Sequence, residues 1–455
     1  MNLITKQLIE LAQNTRYERL GAETVHECKR RIIDSIACAM ASFNHPLSIS
    51  MRTLASSYRG APDAALWGTG VRTTPEMAAF ANGVMVRVGE NSDTFIGKGG
   101  GGHPSDMIAG LIAVAEAAQA SGQALIEAIV IAYDVYCGLM DAVDLAAKGW
   151  DQAFHVTLGT VLGASRLLGL DESQMEQAIS LAICPNMALR QTRHGELSHW
   201  KGCAGANAAR NAVFAATLAQ RGVIGPSGIF DGKQGLWSVT GQFEWPVLYH
   251  GDSLRMVART SIKPLPVCYH TQSAALAALK LFPKLAKDTI SQVHVHTYRT
   301  ALEMAADGAH QWAPQTSESA DHSLPFVVAT ALLHGAIAPS SFQADRLACP
   351  DVRKVMSTIQ VSEDPALSSL WPKSAAARVT VETRNGVQLS EEILYPKGHV
   401  NNPMSDDEVA TKLYEGVSAL AGQDKGKKIV TTLWGIDQNG VLASAIGQVL
   451  AQTFG

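Results

Sequence analysis

The chain has 455 residues, 47% of them hydrophobic and 17% charged, with a mean hydropathy of +0.05. That length predicts two or three domains, or one large domain with a smaller one, around a sizeable core. A net charge of −4 and an isoelectric point near 6.4 leave no global electrostatic case for binding nucleic acid or an anionic membrane.

Seven cysteines are scattered without a CxxC pair, which argues for reduced thiols and against a disulfide framework or a zinc site. The opening residues Met1–Gln7 lack a basic stretch followed by an apolar core, and no run of about 18 apolar residues stands out. The expectation is a cytoplasmic protein with no membrane span.

Along the chain, helical periodicity marks Glu23–Ala41 and residues 104–121, 123–145 and 157–169. Asp171 is placed to cap the next helix, with Gln174 at its third position. Ala204–Gln220 is alanine-rich, ends at Gly222 and is followed by Pro226. The character changes at Lys263-Pro264-Leu265-Pro266. A helix over Thr271–Leu281, a strand over Ser291–Tyr298 and an apolar helix over 323–335 follow. Ala377–Thr383 and Val387–Ile393 read as a hairpin across Arg384-Asn385-Gly386. After a linker, Ser405 caps a helix to about 421, and 436–453 reads as a last helix packing back on the first domain. The predicted fold is mainly α: a large all-helical domain (1–262 and 404–455) and a smaller α/β domain (263–403).

There is no phosphate-binding GxxxxGK[ST], no HExxH, no GxSxG and no strand-led GxGxxG. What remains is a set of polar residues in an apolar helical chain. Asp93-Thr94, Lys98, four glycines and His103-Pro104-Ser105-Asp106 form one run. It reads as a flexible loop at a helix N-terminus, where partial positive charge favours anions. A solvated loop that merely caps a helix fits the same run. His155 lies at the mouth of a helix, as a functional group or a simple cap. The segment Arg190–Cys203 carries two arginines, two histidines and Lys201. Leading into a small-residue helix, Lys201 is expected to be buried and to need a carboxylate or a bound anion. Lys263 and His270 bracket the break between the domains, where ligand sites are favoured. His322 sits in a polar cluster ahead of an apolar helix, and His294 and His296 alternate on a strand as surface or packing residues. Asp93, Lys98, His103, His155, Lys201, Lys263 and His270 form the candidate pocket. Its cations outnumber its carboxylates, which suits a di- or tricarboxylate and proton abstraction beside a carboxylate.

Five segments in order resemble the MmgE/PrpD family. They are Asp93-Thr94 with Gly102-His103-Pro104-Ser105-Asp106, and Arg193-x-Gly195-Glu196-Leu197-Ser198-x-Trp200-Lys201. The others are Lys263-Pro264-x-Pro266 with His270, Ser319-Ala320-Asp321-His322-Ser323-Leu324-Pro325, and Tyr395-Pro396-x-Gly398 with Asn402-Pro403-Met404-Ser405-Asp406. The resemblance implies a helical domain, a smaller α/β domain, a homodimer and no metal or organic cofactor. It implies a lyase acting on a small polycarboxylate, with dehydration of 2-methylcitrate or a close tricarboxylate as the first reading. Decarboxylation of cis-aconitate, epimerisation of iminodisuccinate and a silent carboxylate-binding dimer are the alternatives. His103, His155, Lys201, Asp93 and Lys263 are the implied catalytic residues, with Thr94, Lys98, Ser105, Arg193 and His270 as substrate contacts.

Overall fold

Apolar residues spaced three and four apart produce the helices of the first half: α1 (Leu3–Asn14), α2 (Ala22–Ala41), α3 (Pro46–Ser56), α4 (Pro75–Val88), α5 (Ile108–Ala117), α6 (Gly122–Ala142), α7 (Ala153–Leu167), α8 (Glu172–Ile183) and α9 (Trp200–Gln220). This computed structural model describes residues 1–245, 255–285 and 290–454. Residues 246–254, within the stretch read as helical, lie outside that description. The α8 boundary is set by a capping box in which Asp171 and Gln174 satisfy each other's backbone N–H groups.

Two units are defined by packing: Met1–Thr192 with Gly202–Ile262 and Ser405–Gly455, and Arg193–Lys201 with Lys263–Met404. The segment 193–201 therefore groups with the smaller unit, where the sequence reading had left it in the helical part. Its polar side chains bond to residues near 316–319, a long-range pairing that periodicity cannot report.

The larger unit is helical except for two short hairpins, β1 (Ala64–Ala65) with β2 (Arg72–Thr73) and β3 (Phe95–Gly97) with β4 (Gly100–Gly102). The four-glycine run is thus mostly a paired strand and its turn rather than a flexible loop. Of its glycines only Gly100 has positive φ, at 105°. The helix expected from 104 begins as a 3₁₀ turn, Pro104–Met107, before α5. Helix α6 is long and apolar enough to cross a membrane, contrary to the expectation that no such run exists. Of its apolar window, 89% is buried inside the protein. It is the core helix of this unit and packs most extensively on α7.

In the smaller unit, β5 (Ile290–Thr297) lies between parallel β6 (Ile359–Glu363) and antiparallel β7 (Ala377–Thr383), with β8 (Gln388–Ile393) at the edge. Strict alternation puts Val293, Val295, Val379 and Val381 in the core with α10 (Gln272–Leu281) and α11 (Leu324–His334). His294 and His296 occupy the opposite, partly exposed face.

The chain then returns to the larger unit through α13, numbered after α12 (Pro350–Met356) and running Asp406–Ala421. Ser405 and Glu408 form its capping box. Of the expected terminal helix 436–453 only the second half is helical, α15 (Ala445–Phe454); the first half is a turn that follows α14 (Gln423–Trp434), a helix the sequence reading did not mark. That turn pairs with the start of α6: Gly122 N donates to Val441 O at 3.0 Å, and Ala443 N donates to Ala120 O at 2.9 Å. A Cβ on Gly122 would stand 1.8 Å from the Ile436 carbonyl oxygen. Gly122→Ala should therefore force two backbones apart and cost about 1–3 kcal/mol or more. Gly70→Ala, with nothing within 4 Å, should cost little. Urea midpoints of the two variants check this.

Candidate active site

Among the described residues, most of the expected site residues fall in two clusters of buried polar side chains, one in each unit. In the larger unit the cluster is built from residues 87–106, between α4 and α5, and from the facing helices α6 and α7. The β3–β4 hairpin lies hard against α6. A Cβ on Gly99 would meet the Val143 carbonyl oxygen at 2.4 Å, and one on Gly102 would meet the Tyr136 hydroxyl at 2.0 Å. Gly99 and Gly102 are needed for this packing on α6, a requirement the sequence reading did not contain.

Asp93 is fully buried. Its Oδ1 accepts from the Ser105 backbone N–H at 3.0 Å and its Oδ2 from the Tyr133 hydroxyl at 2.9 Å. Burial pushes its carboxyl above the usual range, against the pull of the Arg31 charge and the Ser105 and Tyr133 hydrogen bonds. His103 caps the 3₁₀ turn and is held from two sides. Its Nδ1 lies 2.7 Å from the Asp93 carbonyl oxygen, and its Nε2 lies 3.8 Å from Glu90 Oε1. A carbonyl only accepts, so Nδ1 carries the proton and Nε2 faces the carboxylate. Glu90 in turn contacts Arg87, whose Nε is 3.9 Å from Asp106 Oδ1.

Gln152 ties these groups to α7. Its Oε1 accepts from the Tyr136 hydroxyl at 2.5 Å and its Nε2 donates to Asp106 Oδ2 at 3.0 Å. One turn further, His155 is 3% exposed and packs against Tyr136 with ring centroids 5.4 Å apart. Burial pulls its pKa down to about 4, opposed by the Asp151 charge and a hydrogen bond to the Gln152 backbone. The hydroxyl of Thr94 is buried without a hydrogen-bond partner, whereas that of Ser105 lies against Asp93.

In the smaller unit, Lys201 is 2% exposed at the start of α9. Its Nζ lies 3.0 and 3.2 Å from the two Asp321 oxygens and 3.2 Å from His322 Nδ1, which itself contacts Asp321. The carboxylate that the sequence reading required for Lys201 is therefore Asp321. Cys268 N donates to the Asp321 carbonyl at 2.9 Å, which joins the 263–270 break to this cluster. Lys263 is buried. His270 bonds the Tyr298 hydroxyl at 2.8 Å, and Trp371 stacks on Tyr298. Burial, then the charges of His322 and Lys263, pull His270 down to about 4.

Asp93, Thr94, His103, Ser105 and His155 thus share one cluster, and Lys201, Lys263 and His270 belong to the other unit. Lys98 stands exposed at the tip of the β3–β4 hairpin, and Arg193 is half-buried in the turn Arg190–Arg193. The excess of cations read from the sequence changes on packing, because Glu90, Asp106 and Asp321 stand beside them. Those carboxylates, and Tyr133, Tyr136, Gln152, His322 and Tyr298, were not singled out as site residues. Tyr133 and Tyr136 had a signal in principle: two hydroxyls three residues apart on an otherwise apolar helix. Glu90 had none.

The protein is mainly helical with a small α/β unit, and carries a buried carboxylate–histidine cluster and a buried lysine–carboxylate cluster. The comparisons give its family. The MmgE/PrpD N-terminal domain matches residues 6–245 and the MmgE/PrpD C-terminal domain residues 265–436. The chain belongs to the MmgE/PrpD family. It is 26% identical to 2-methylcitrate dehydratase of Cupriavidus necator, over 85% of this chain and 84% of that protein. It is 24% identical to the 2-methylcitrate dehydratase of Escherichia coli K12, over 84% and 82%. It is 22% identical to cis-aconitate decarboxylase of Mus musculus, over 94% and 90%.

His155 makes stability depend on pH. Its folded pKa, about 4, lies below the unfolded value near 6.5. Its contribution is therefore complete above pH 6.5 and is lost as pH falls toward 4, about 3 kcal/mol in all. Between pH 7 and 5 the wild type should lose about 2 kcal/mol more than His155→Gln. Urea unfolding at both pH values tests this, and equal losses would refute it.

Proposed function

We propose that this chain is a lyase of small polycarboxylates, dehydrating 2-methylcitrate or a close tricarboxylate without a metal or organic cofactor. The observation that carries the reading is His155, a buried imidazole kept uncharged by its burial, in the cluster that Tyr136 and Gln152 join to His103. An uncharged imidazole can accept a proton from the carbon beside a carboxylate. His103, whose Nε2 faces Glu90, is suited to hold a proton and release it to a leaving hydroxyl. Lys201 and Lys263 are the proposed cations for substrate carboxylates and for charge developing on the enolate. The 2-methylcitrate dehydratases among the relatives support this reading. Decarboxylation of cis-aconitate is the second reading, supported by the mouse relative, whose match spans more of this chain than the dehydratases'.

Proton NMR of EDTA-treated protein in D₂O with 2-methylcitrate, cis-aconitate and iminodisuccinate in turn separates the cases. An alkene signal from 2-methylcitrate is expected. Itaconate would mark a decarboxylase, and deuterium exchange with stereochemical inversion an epimerase. Binding without turnover would favour a silent carboxylate-binding protein. His103→Ala and His155→Ala should each lower turnover by about 10²–10⁴-fold; near-normal rates in both would overturn the assignment.

We further propose a homodimer. Ile49 and Leu54 on α3 and Phe214 on α9 are large apolar side chains 46%, 43% and 53% exposed, which a second subunit could cover. Light scattering at micromolar concentration should give twice the chain mass; a monodisperse monomer would rule this out.

A further inference from the structure

Segment 90–93, just after α4, controls both sides of His103. Glu90 supplies the carboxylate facing Nε2, and Asp93 supplies the carbonyl that accepts from Nδ1. The segment is held in an unfavourable conformation, for Glu90 has φ +50°, in the left-handed region that side chains other than glycine's disfavour. Such a conformation persists only where surrounding contacts hold it.

One of those contacts comes from far along the chain. Lys412, on α13, places its Nζ 2.7 Å from the Asn91 carbonyl oxygen and 2.5 Å from Asp34 Oδ1 on α2. The side chains of Lys412 and Asp34 are 9% and 1% exposed. Burial pulls the Lys412 pKa down, but the Asp34 charge, Cys38 and the hydrogen bonds to both together outweigh it and hold the ammonium charged. A charged ammonium has three N–H donors, so it can neutralise Asp34 and still grip a carbonyl. Neutralising Asp34 requires only charge. The grip on Asn91 requires a donor directed at a backbone atom one residue from Glu90 and two from Asp93.

We propose that Lys412 is a positioning residue for His103: by holding the Asn91 carbonyl it fixes segment 90–93, and through Glu90 and Asp93 it sets the tautomer and orientation of the imidazole. The catalytic consequence rests on the function proposed above; the structural statement does not.

The test uses the full-length protein with ¹⁵N-labelled histidine, with the His103 signals identified by their loss in His103→Asn. Wild-type His103 should show the pattern of an Nδ1-protonated ring. The double variant K412M/D34N removes the charge pair together with the donor, and His103 should shift toward averaged tautomers while His155 stays in place. K412Q/D34N keeps an amide donor for Asn91 and should restore the wild-type pattern. Should K412M/D34N not fold, the apolar pair K412L/D34L fills the same buried site and gives the same reading. A folded double variant lacking the donor, with unchanged His103 signals, would reduce Lys412 to a counter-ion of Asp34 and overturn the proposal. On whichever substrate turns over, K412M/D34N should lower kcat about tenfold to a hundredfold with little change in KM, the effect expected of a displaced catalytic group. Absence of turnover in every protein, wild type included, would remove the proposed function and leave the NMR comparison standing.

Discussion

A carboxylate with no access to water must have its oxygens hydrogen-bonded within the protein, or it destabilises the fold. Asp93 meets that requirement with the Ser105 amide on one oxygen and the Tyr133 hydroxyl on the other. Much of the larger unit's polar interior follows from it. The bond to Ser105 fixes the start of the 3₁₀ turn that leads into α5. The bond to Tyr133 locks that turn against α6. His103 lies between these anchors and donates from Nδ1 to the Asp93 carbonyl as well. A glycine-rich hairpin is required because any side chain at Gly99 or Gly102 would strike α6 and displace the strand that delivers His103.

The two polar clusters differ in their electrostatics. In the smaller unit a lysine, a carboxylate and a histidine are in mutual contact, so Lys201 has its charge balanced on site. In the larger unit Glu90 and Asp106 are paired through Arg87 and Gln152, whereas His155 lies against Tyr136 and the Gln152 backbone, with its charge disfavoured by burial. Residues that sit in fixed hydrogen-bonded networks keep one geometry.

The return of the chain's C-terminal part to the larger unit also has a physical consequence. α13 supplies Lys412 to a segment more than three hundred residues earlier, and the turn before α15 pairs with the start of α6. Two of the groups that support the site region are therefore contributed last in sequence, so the larger unit is discontinuous and includes Ser405–Gly455.

Much of this was legible in the linear sequence, because it depends on local physics. Helical periodicity, the Asp171 and Ser405 caps, the Asn-Gly hairpin and the alternation of β7 all act within a few residues. The order of His103, His155, Lys201 and Lys263 among short motifs was enough to name the family. Other features depend on residues far apart meeting in space. Gly99–Gly102 read as a ligand loop until α6 was seen against it. Lys201 called for a carboxylate, but only packing could choose Asp321, 120 residues away. Glu90 was not read from the sequence, and its place opposite His103 came from a left-handed turn that no residue type announces. The sequence by itself determined the elements, the class of fold and which side chains could carry chemistry. The tertiary structure alone decided which of those charges are balanced and which polar atoms are left vacant, because desolvation and pairing are properties of neighbours that the chain brings together only on folding.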